Sequence, residues 1–298
     1  MKKIFHFIII LFGIGFLVGC SANNAAQGAQ DVPDAKPDTD SEYRIVSTTV
    51  AATEIFAALD LDLVGVPTTV KTLPERYEGL PDVGNPMSPD MEIIKSLKPT
   101  HVISVTTLKT DLEPVFENAG IDAIFLNLQS IDNMLAEIER LGEMFDREEE
   151  ANELIASFEF ELVEIEKNIP DGEAPKVLLL LGIPGSYLVA TEHSYIGDLV
   201  KRAGGVNVIQ GEDREYLASN TEYLYQANPD VILRLAHGMP DEVVKMFEEE
   251  FRTNDIWQHF NAVKNDRVYD LPEALFGTTA SLRVTEALEE LIDILYES

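Results

Sequence analysis

A histidine placed where an apolar run ends is the residue of this sequence best suited to hold a metal. His237 stands in Leu235-Ala236-His237-Gly238-Met239-Pro240, directly after Val231-Ile232-Leu233. A strand should therefore end and a loop open at the imidazole, which is where open α/β sheets collect their ligands. Gly238 permits a tight turn and the close approach of a large planar ligand, and Pro240 suits the first turn of a following helix. The counterpart is Met87, in Gly84-Asn85-Pro86-Met87-Ser88-Pro89, held between two prolines ahead of a helical stretch in the other half of the chain. An imidazole and a thioether from opposite halves are axial ligands suited to a haem iron.

The rival groups have plainer readings. Met91 belongs to the helix after Met87 and faces its core, and Met239 shares the loop of His237, too close to reach the opposite side of one porphyrin. His101, His193 and His259 each lack a second histidine at ligand spacing and take ordinary core or surface roles. With a single cysteine, Cys20, a structural zinc site is excluded, and so is an internal disulfide. Gly182-Ile183-Pro184-Gly185-Ser186 has neither the lysine of a phosphate loop nor G-x-S-x-G spacing. No catalytic constellation stands out, and an enzyme is not expected.

The elements that must position His237 and Met87 follow from the apolar patterning. Strand-like runs at Tyr43 to Thr48, Leu63 to Val66, His101 to Val105 and Ile121 to Leu126 alternate with helical patterns, and so do runs at Lys176 to Leu181, Tyr187 to Ala190, Val231 to Leu235 and Arg267 to Leu271. Such alternation predicts parallel sheets, one per half. Between the halves, Arg147 to Ile169 has apolar residues at Ala151, Leu154, Ile155, Phe158, Leu162 and Ile165 with glutamates opposite, which predicts one amphipathic connecting helix. The expected division is an N-terminal lobe at 41–146, the connecting helix at 147–169 and a C-terminal lobe at 170–298.

Ahead of these lobes, Lys2 and Lys3 precede an apolar run from Phe5 to Val18 that ends in Leu17-Val18-Gly19-Cys20. The run is too short for a stable span and has the parts of an export signal, residues 1–20, that ends at a lipid-accepting cysteine. Residues 21–40 are small, polar and proline-bearing, which predicts a flexible tether. The formal net charge of −31 makes nucleic acid and anionic membrane surfaces poor partners. The membrane is then reached through the lipid on Cys20 alone, at the outer face of the cytoplasmic membrane.

A short repeat links the halves. Glu92 with Ile93-Ile94 stands seven residues before Pro99, and Glu222 with Tyr223-Leu224 stands seven before Pro229, each followed by a strand. The bland alternative is that both glutamates favour the first turn of a helix.

Taken with Arg44-Ile45-Val46, Thr48-Thr49-Val50-Ala51, Lys71-Thr72-Leu73-Pro74, Gly84 to Pro89, Pro184 to Thr191, Ser194 to Val200 and His237-Gly238-Met239-Pro240, the chain resembles the class III solute-binding lipoproteins of bacterial ABC importers, in particular their haem receptors of Gram-positive iron-regulated surface systems. The resemblance spans Ser41 to Ser298. It implies two Rossmann-like α/β lobes joined by one long backbone helix, and one haem b held by Met87 and His237. Val50, Ala51, Thr69 and Val70 then meet the porphyrin or its propionates, and Glu92 and Glu222 dock to permease arginines. The chain departs from the resemblance at Val70, where tyrosine is expected, so Val70 offers an apolar contact only. The implied partners are haem, an ABC permease and wall or extracellular haem donors, for a monomeric receptor. The fold alone leaves a ferric siderophore, cobalamin or a haem-processing enzyme open, although Arg44, Arg214, Arg234 and Arg283 are too scattered to suggest an anionic siderophore.

Overall fold

Continuous apolar segments with turn residues at both ends become the strands of two sheets, each covered by helices. The computed structural model describes residues 43–219, 224, 228–237 and 239–297. In the N-terminal lobe the elements are β1 (Ile45–Ser47), α1 (Val50–Ala58), β2 (Leu63–Gly65), β3 (Gly84–Asn85), β4 (Ser88–Pro89), α2 (Met91–Ser96), β5 (His101–Val105), α3 (Lys109–Ala119), β6 (Ala123–Leu126) and α4 (Ile131–Met144). The sheet order is β2-β1-β5-β6, all parallel. Ile45, Val46 and Ser47 are wholly buried, as the central strand of a sheet covered on both faces requires.

Helix α5 (Glu148–Glu166) links the lobes. It begins with Glu148, Glu149 and Glu150 in its first turn, where the helix dipole favours them, and buries Ala151, Phe158, Leu162 and Ile165. It stops three residues before the predicted end. Pro170 disfavours helical geometry at Ile169, and Lys167 caps the last turn.

The C-terminal lobe contains β7 (Lys176–Ile183), β8 (Ser186–Ala190), α6 (Tyr195–Arg202), β9 (Val206–Asn207), β10 (Tyr216–Ala218), β11 (Val231–Ala236), α7 (Pro240–Thr253), α8 (Asn261–Lys264), β12 (Val268–Leu271) and α9 (Val284–Tyr296). Its sheet runs β10-β8-β7-β11-β12, with β9 beside β7. Here the expectation of a wholly parallel sheet is corrected, because β8 is antiparallel to β7 and β10 antiparallel to β8. The cause is local. Ile183 pairs with Ser186, so Pro184-Gly185 forms a two-residue hairpin turn, with Gly185 at φ +83° supplying the left-handed geometry.

One large apolar cluster runs through both lobes, from Ile45 and Phe56 through Leu162 to Val177, Leu233 and Leu291. Polar contacts close the same seam. The carboxylate of Asp198 on α6 accepts the Ile131 N–H of α4 at 3.0 Å, and Gln129 Nε2 donates to Glu215 Oε1 at 2.5 Å. Arg202 reaches Asp132 and, at 3.4 Å, Glu166. Ala280 N–H donates to Leu128 O at 2.8 Å.

Burial pushes the pKa values of Asp198 and Glu215 above their ordinary 3.8 and 4.5, against the opposing pull of the Ile131 N–H and Arg202 on the first and of Gln129 on the second. The folded chain therefore holds these protons more tightly than the unfolded chain does. Their contribution to stability is complete below the ordinary values and is lost as pH rises through the folded ones. The Asp198→Asn, Glu215→Gln double variant should accordingly show a flatter dependence of melting temperature on pH than the wild type as pH rises above the ordinary 4.5. A wild-type slope in the double variant contradicts this account of the seam.

Candidate ligand site at the carboxyl edges of the two sheets

At the carboxyl end of β1 the chain turns into α1. Thr49 is the N-cap and its side chain accepts the Ala52 N–H at 3.4 Å. Beneath it lies a buried hydroxyl network, in which Ser47 Oγ donates to Thr49 O at 3.0 Å and Thr53 Oγ1 approaches Ser47 Oγ at 2.9 Å and Thr49 O at 2.8 Å. Thr48 is fixed to β5 through Ile103 O, by its N–H and its hydroxyl, both at 2.9 Å. The N–H groups of Val50 and Ala51, at the start of the helix, have no acceptor within it. They are held rigidly, and with the helix dipole they suit an anionic oxygen.

The segment after β2 is stitched to the hairpin that carries Met87. Val66 N–H donates to Pro81 O at 3.1 Å, Val83 N–H to Val66 O at 2.8 Å and Thr68 N–H to Gly84 O at 3.0 Å. In the hairpin, Gly84 pairs with Pro89 and Asn85 with Ser88, which leaves Pro86 and Met87 at the tip, and Met87 N–H donates to Asn85 Oδ1 at 2.9 Å. Two apolar side chains of this stitched unit face solvent: Met87 is 67% exposed and Val70 is fully exposed. Thr69 is half-buried, its hydroxyl accepting the Lys71 N–H at 3.0 Å. Met91 packs against the core behind the sheet, as its helical position predicts. Val50 and Ala51 thus lie just past the carboxyl end of β1, and Thr69, Val70 and Met87 belong to the stitched unit that follows β2.

His237 lies on the other sheet, one residue past β11, with its N–H bonded to Gly182 O at 2.9 Å. Its side chain is 44% exposed, and Nδ1 stands 3.9 Å from Glu273 Oε1, a carboxylate two residues past the parallel neighbour β12. That separation is too long for a hydrogen bond, but a carboxylate on the Nδ1 side is the kind of partner that, once bonded, orients a metal-binding imidazole. Met239, the N-cap of α7, is 54% exposed and adopts φ +50°, a left-handed conformation that costs a residue with a side chain about 1 kcal/mol.

Burial raises the pKa of Glu54 on α1, and the positive charges of Lys71 and of Arg283 in the C-terminal lobe pull it back down. Arg283 is also fixed to Glu286, at 2.6 Å, and to Ala274 O, at 3.3 Å. Sequence reasoning passed over Glu273, which only the parallel register of β11 and β12 brings near His237, and it did not place Lys71 or Arg283 near Glu54.

Glu92 is exposed in the first turn of α2, its N–H bonded to the Asp90 carboxylate at 2.9 Å. Glu222 and Cys20 lie outside the described residues. A polar groove of about 710 Å³ at the lobe seam, between Gln129–Asn133 and Glu192–Ser194, contains none of the residues nominated from sequence.

Paired α/β lobes on one linking helix, with exposed loops at the carboxyl edges of their sheets, define a two-lobed solute-binding protein. The chain belongs to the periplasmic binding protein family, whose model matches residues 45–275. It is 46% identical to the high-affinity heme uptake system protein IsdE of Staphylococcus aureus (strain bovine RF122 / ET3-1), over 100% of this chain and 99% of that one. Its fold is similar to the crystal structure of S. aureus IsdE complexed with heme, with a TM-score of 0.83 and 50% identity over 86% of this chain and 100% of the other. An ABC transporter substrate-binding protein from Listeria monocytogenes EGD-e gives a TM-score of 0.82 and 57% identity, again covering 86% and 100%.

Proposed function

We propose that this chain is a haem-binding receptor that passes haem to an ABC-importer permease and catalyses no reaction. The observation that carries the reading is the placement of an exposed thioether and a half-exposed imidazole on separate lobes, Met87 at a hairpin tip and His237 at a strand end, in a chain 46% identical over its length to a haem uptake protein. One haem b is held with its iron between Met87 and His237. The Val50 and Ala51 amides meet a propionate, Thr69 and Val70 border the porphyrin, and Val70 gives apolar contact alone. Lys71 and Arg283 lower the cost of bringing an anionic ligand to so acidic a chain.

Titration of the purified chain with ferric haem tests the reading. One equivalent should bind with a sharp, shifted Soret band typical of a six-coordinate low-spin iron. Binding of a ferric siderophore or cobalamin with no response to haem overturns it.

The receptor is monomeric, anchored by lipid on Cys20 to the outer face of the cytoplasmic membrane, and is loaded by wall or extracellular haem donors. Cys20→Ala should release it from the membrane fraction with haem binding intact, and full membrane retention contradicts the anchor. Glu92 and Glu222 are the permease contacts, one per lobe. Single exposed ion pairs are worth less than about 1 kcal/mol, but two at one interface also steer docking. Glu92→Ala with Glu222→Ala should therefore impair haem uptake more than either change alone and spare haem affinity. Wild-type transport by the double variant removes both from the docking role.

A further inference from the structure

Among the described residues Arg234 is the one charged residue that is buried. It sits on β11, in register with Asp270 on β12. Its Nε donates to Asp270 Oδ1 at 2.8 Å and its Nη2 to Oδ2, a bidentate fork. The guanidinium also lies 5.5 Å from the ring of Phe247 and 5.0 Å from that of Phe251, both on α7. Phe251 is in turn stacked on Trp257 at 4.3 Å.

Each element so joined leads to the candidate site. Three residues after Arg234 comes His237, and three after Asp270 comes Glu273. Helix α7 starts at Pro240, directly after the loop of His237. One side chain therefore ties together the strand that ends at the imidazole, the strand that ends at its carboxylate, and the helix that takes the chain away.

A buried ion pair is a poor way to gain stability, since well-packed apolar residues of similar volume serve as well or better. What the fork adds is direction. Two parallel hydrogen bonds in one plane fix the rotation of one strand against the next, and aromatic faces above that plane fix the helix.

We propose that Arg234 is a positioning residue for His237: through Asp270, Phe247 and Phe251 it sets the orientation in which the imidazole and Glu273 are presented to haem. The inference rests on the haem reading above and deepens it. A partner outside the first ligand shell, when removed, typically costs a metal site about 10- to 100-fold in affinity.

The test compares the full chain with Arg234→Lys, which keeps the charge but loses the planar fork, and with the Arg234→Met, Asp270→Leu double variant, which removes both charges and keeps an apolar core. Ferric haem should leave each variant about 10-fold faster than the wild type, with a broadened low-spin electron paramagnetic resonance signal, at temperatures where circular dichroism shows the fold intact. Wild-type g-values and dissociation rate in both variants overturn the proposal. So does a loss of haem that only follows the unfolded fraction, with the folded remainder keeping wild-type g-values.

Amide hydrogen exchange at Leu235, Ala236 and His237 in the haem-free chain reads the same tie without ligand. Faster exchange in both variants supports it and unchanged exchange overturns it. If the wild type shows no low-spin haem spectrum, the haem reading fails on its own, and the exchange data still decide the role of Arg234 in holding this strand end.

Discussion

His237→Ala should abolish the low-spin haem spectrum in both oxidation states and speed haem loss by roughly 100-fold, the upper end of what even an outer partner of a metal ligand contributes. In the proposed ligand pair the imidazole is the stronger donor, its Nδ1 stands 3.9 Å from Glu273 Oε1, and its backbone is pinned to Gly182. Met87→Ala should behave differently. A thioether is a soft ligand that grips ferrous iron better than ferric, and its ligation raises the reduction potential. Its loss should disturb the reduced spectrum most, lower the potential, and leave a ferric complex that admits water. Optical spectra of both variants, oxidised and reduced, are the measurement. Wild-type bands in both, or loss of the bands in Met91→Ala instead, remove this ligand assignment while leaving haem binding itself standing.

Gly84→Ala is expected to mimic Met87→Ala although the methionine is untouched. Gly84 has φ +95°, and an added Cβ lies 2.8 Å from Asp90 N, 3.1 Å from Ser88 O and 3.3 Å from Pro89 Cα. All three are backbone atoms, so no side chain can swing away. The hairpin must open, or the N-cap of α2 must shift and strain the 2.8 Å bond from Asp90 N–H to Val83 O. Left-handed strain and overpacking together cost about 3 kcal/mol, or roughly 5–10 °C in melting temperature. Gly79→Ala provides the control, because Gly79 also has positive φ, +80°, but nothing stands within 4 Å of its added Cβ. It should lose stability modestly and keep the ferrous spectrum. A Gly84→Ala chain with wild-type ferrous bands shows that the hairpin does not set the methionine.

The comparison of sequence with structure is instructive at particular elements. The apolar runs of β5, β7 and β11 were legible because strands buried on both faces leave a continuous signature, and with them came the position of His237 at a strand end. β10 was not, since Tyr216-Leu217-Ala218 is three residues long after an acidic stretch and pairs only because β8 offers an antiparallel edge. The direction of β8 turned on Pro184-Gly185 acting as a hairpin turn. Glu273 became a neighbour of His237 through the parallel register of β11 and β12, in which Leu235 faces Leu271, a relation no one-dimensional spacing contains. The hydroxyls under α1 were hidden for a similar reason: Ser47 and Thr53 meet only once the turn at Thr48-Thr49 has folded.

The Asp198 carboxylate completes the first turn of a helix that belongs to the other lobe. Ser130 caps α4 from within its own lobe by accepting the Asn133 N–H, but without the other lobe the Ile131 N–H would lose its protein acceptor and the Leu128 carbonyl its donor, Ala280. The two halves are thus not independent modules joined by a rod. With one apolar cluster running through both, they should melt as one cooperative unit, and cutting the chain within α5 would leave two fragments that each lack the end of the other.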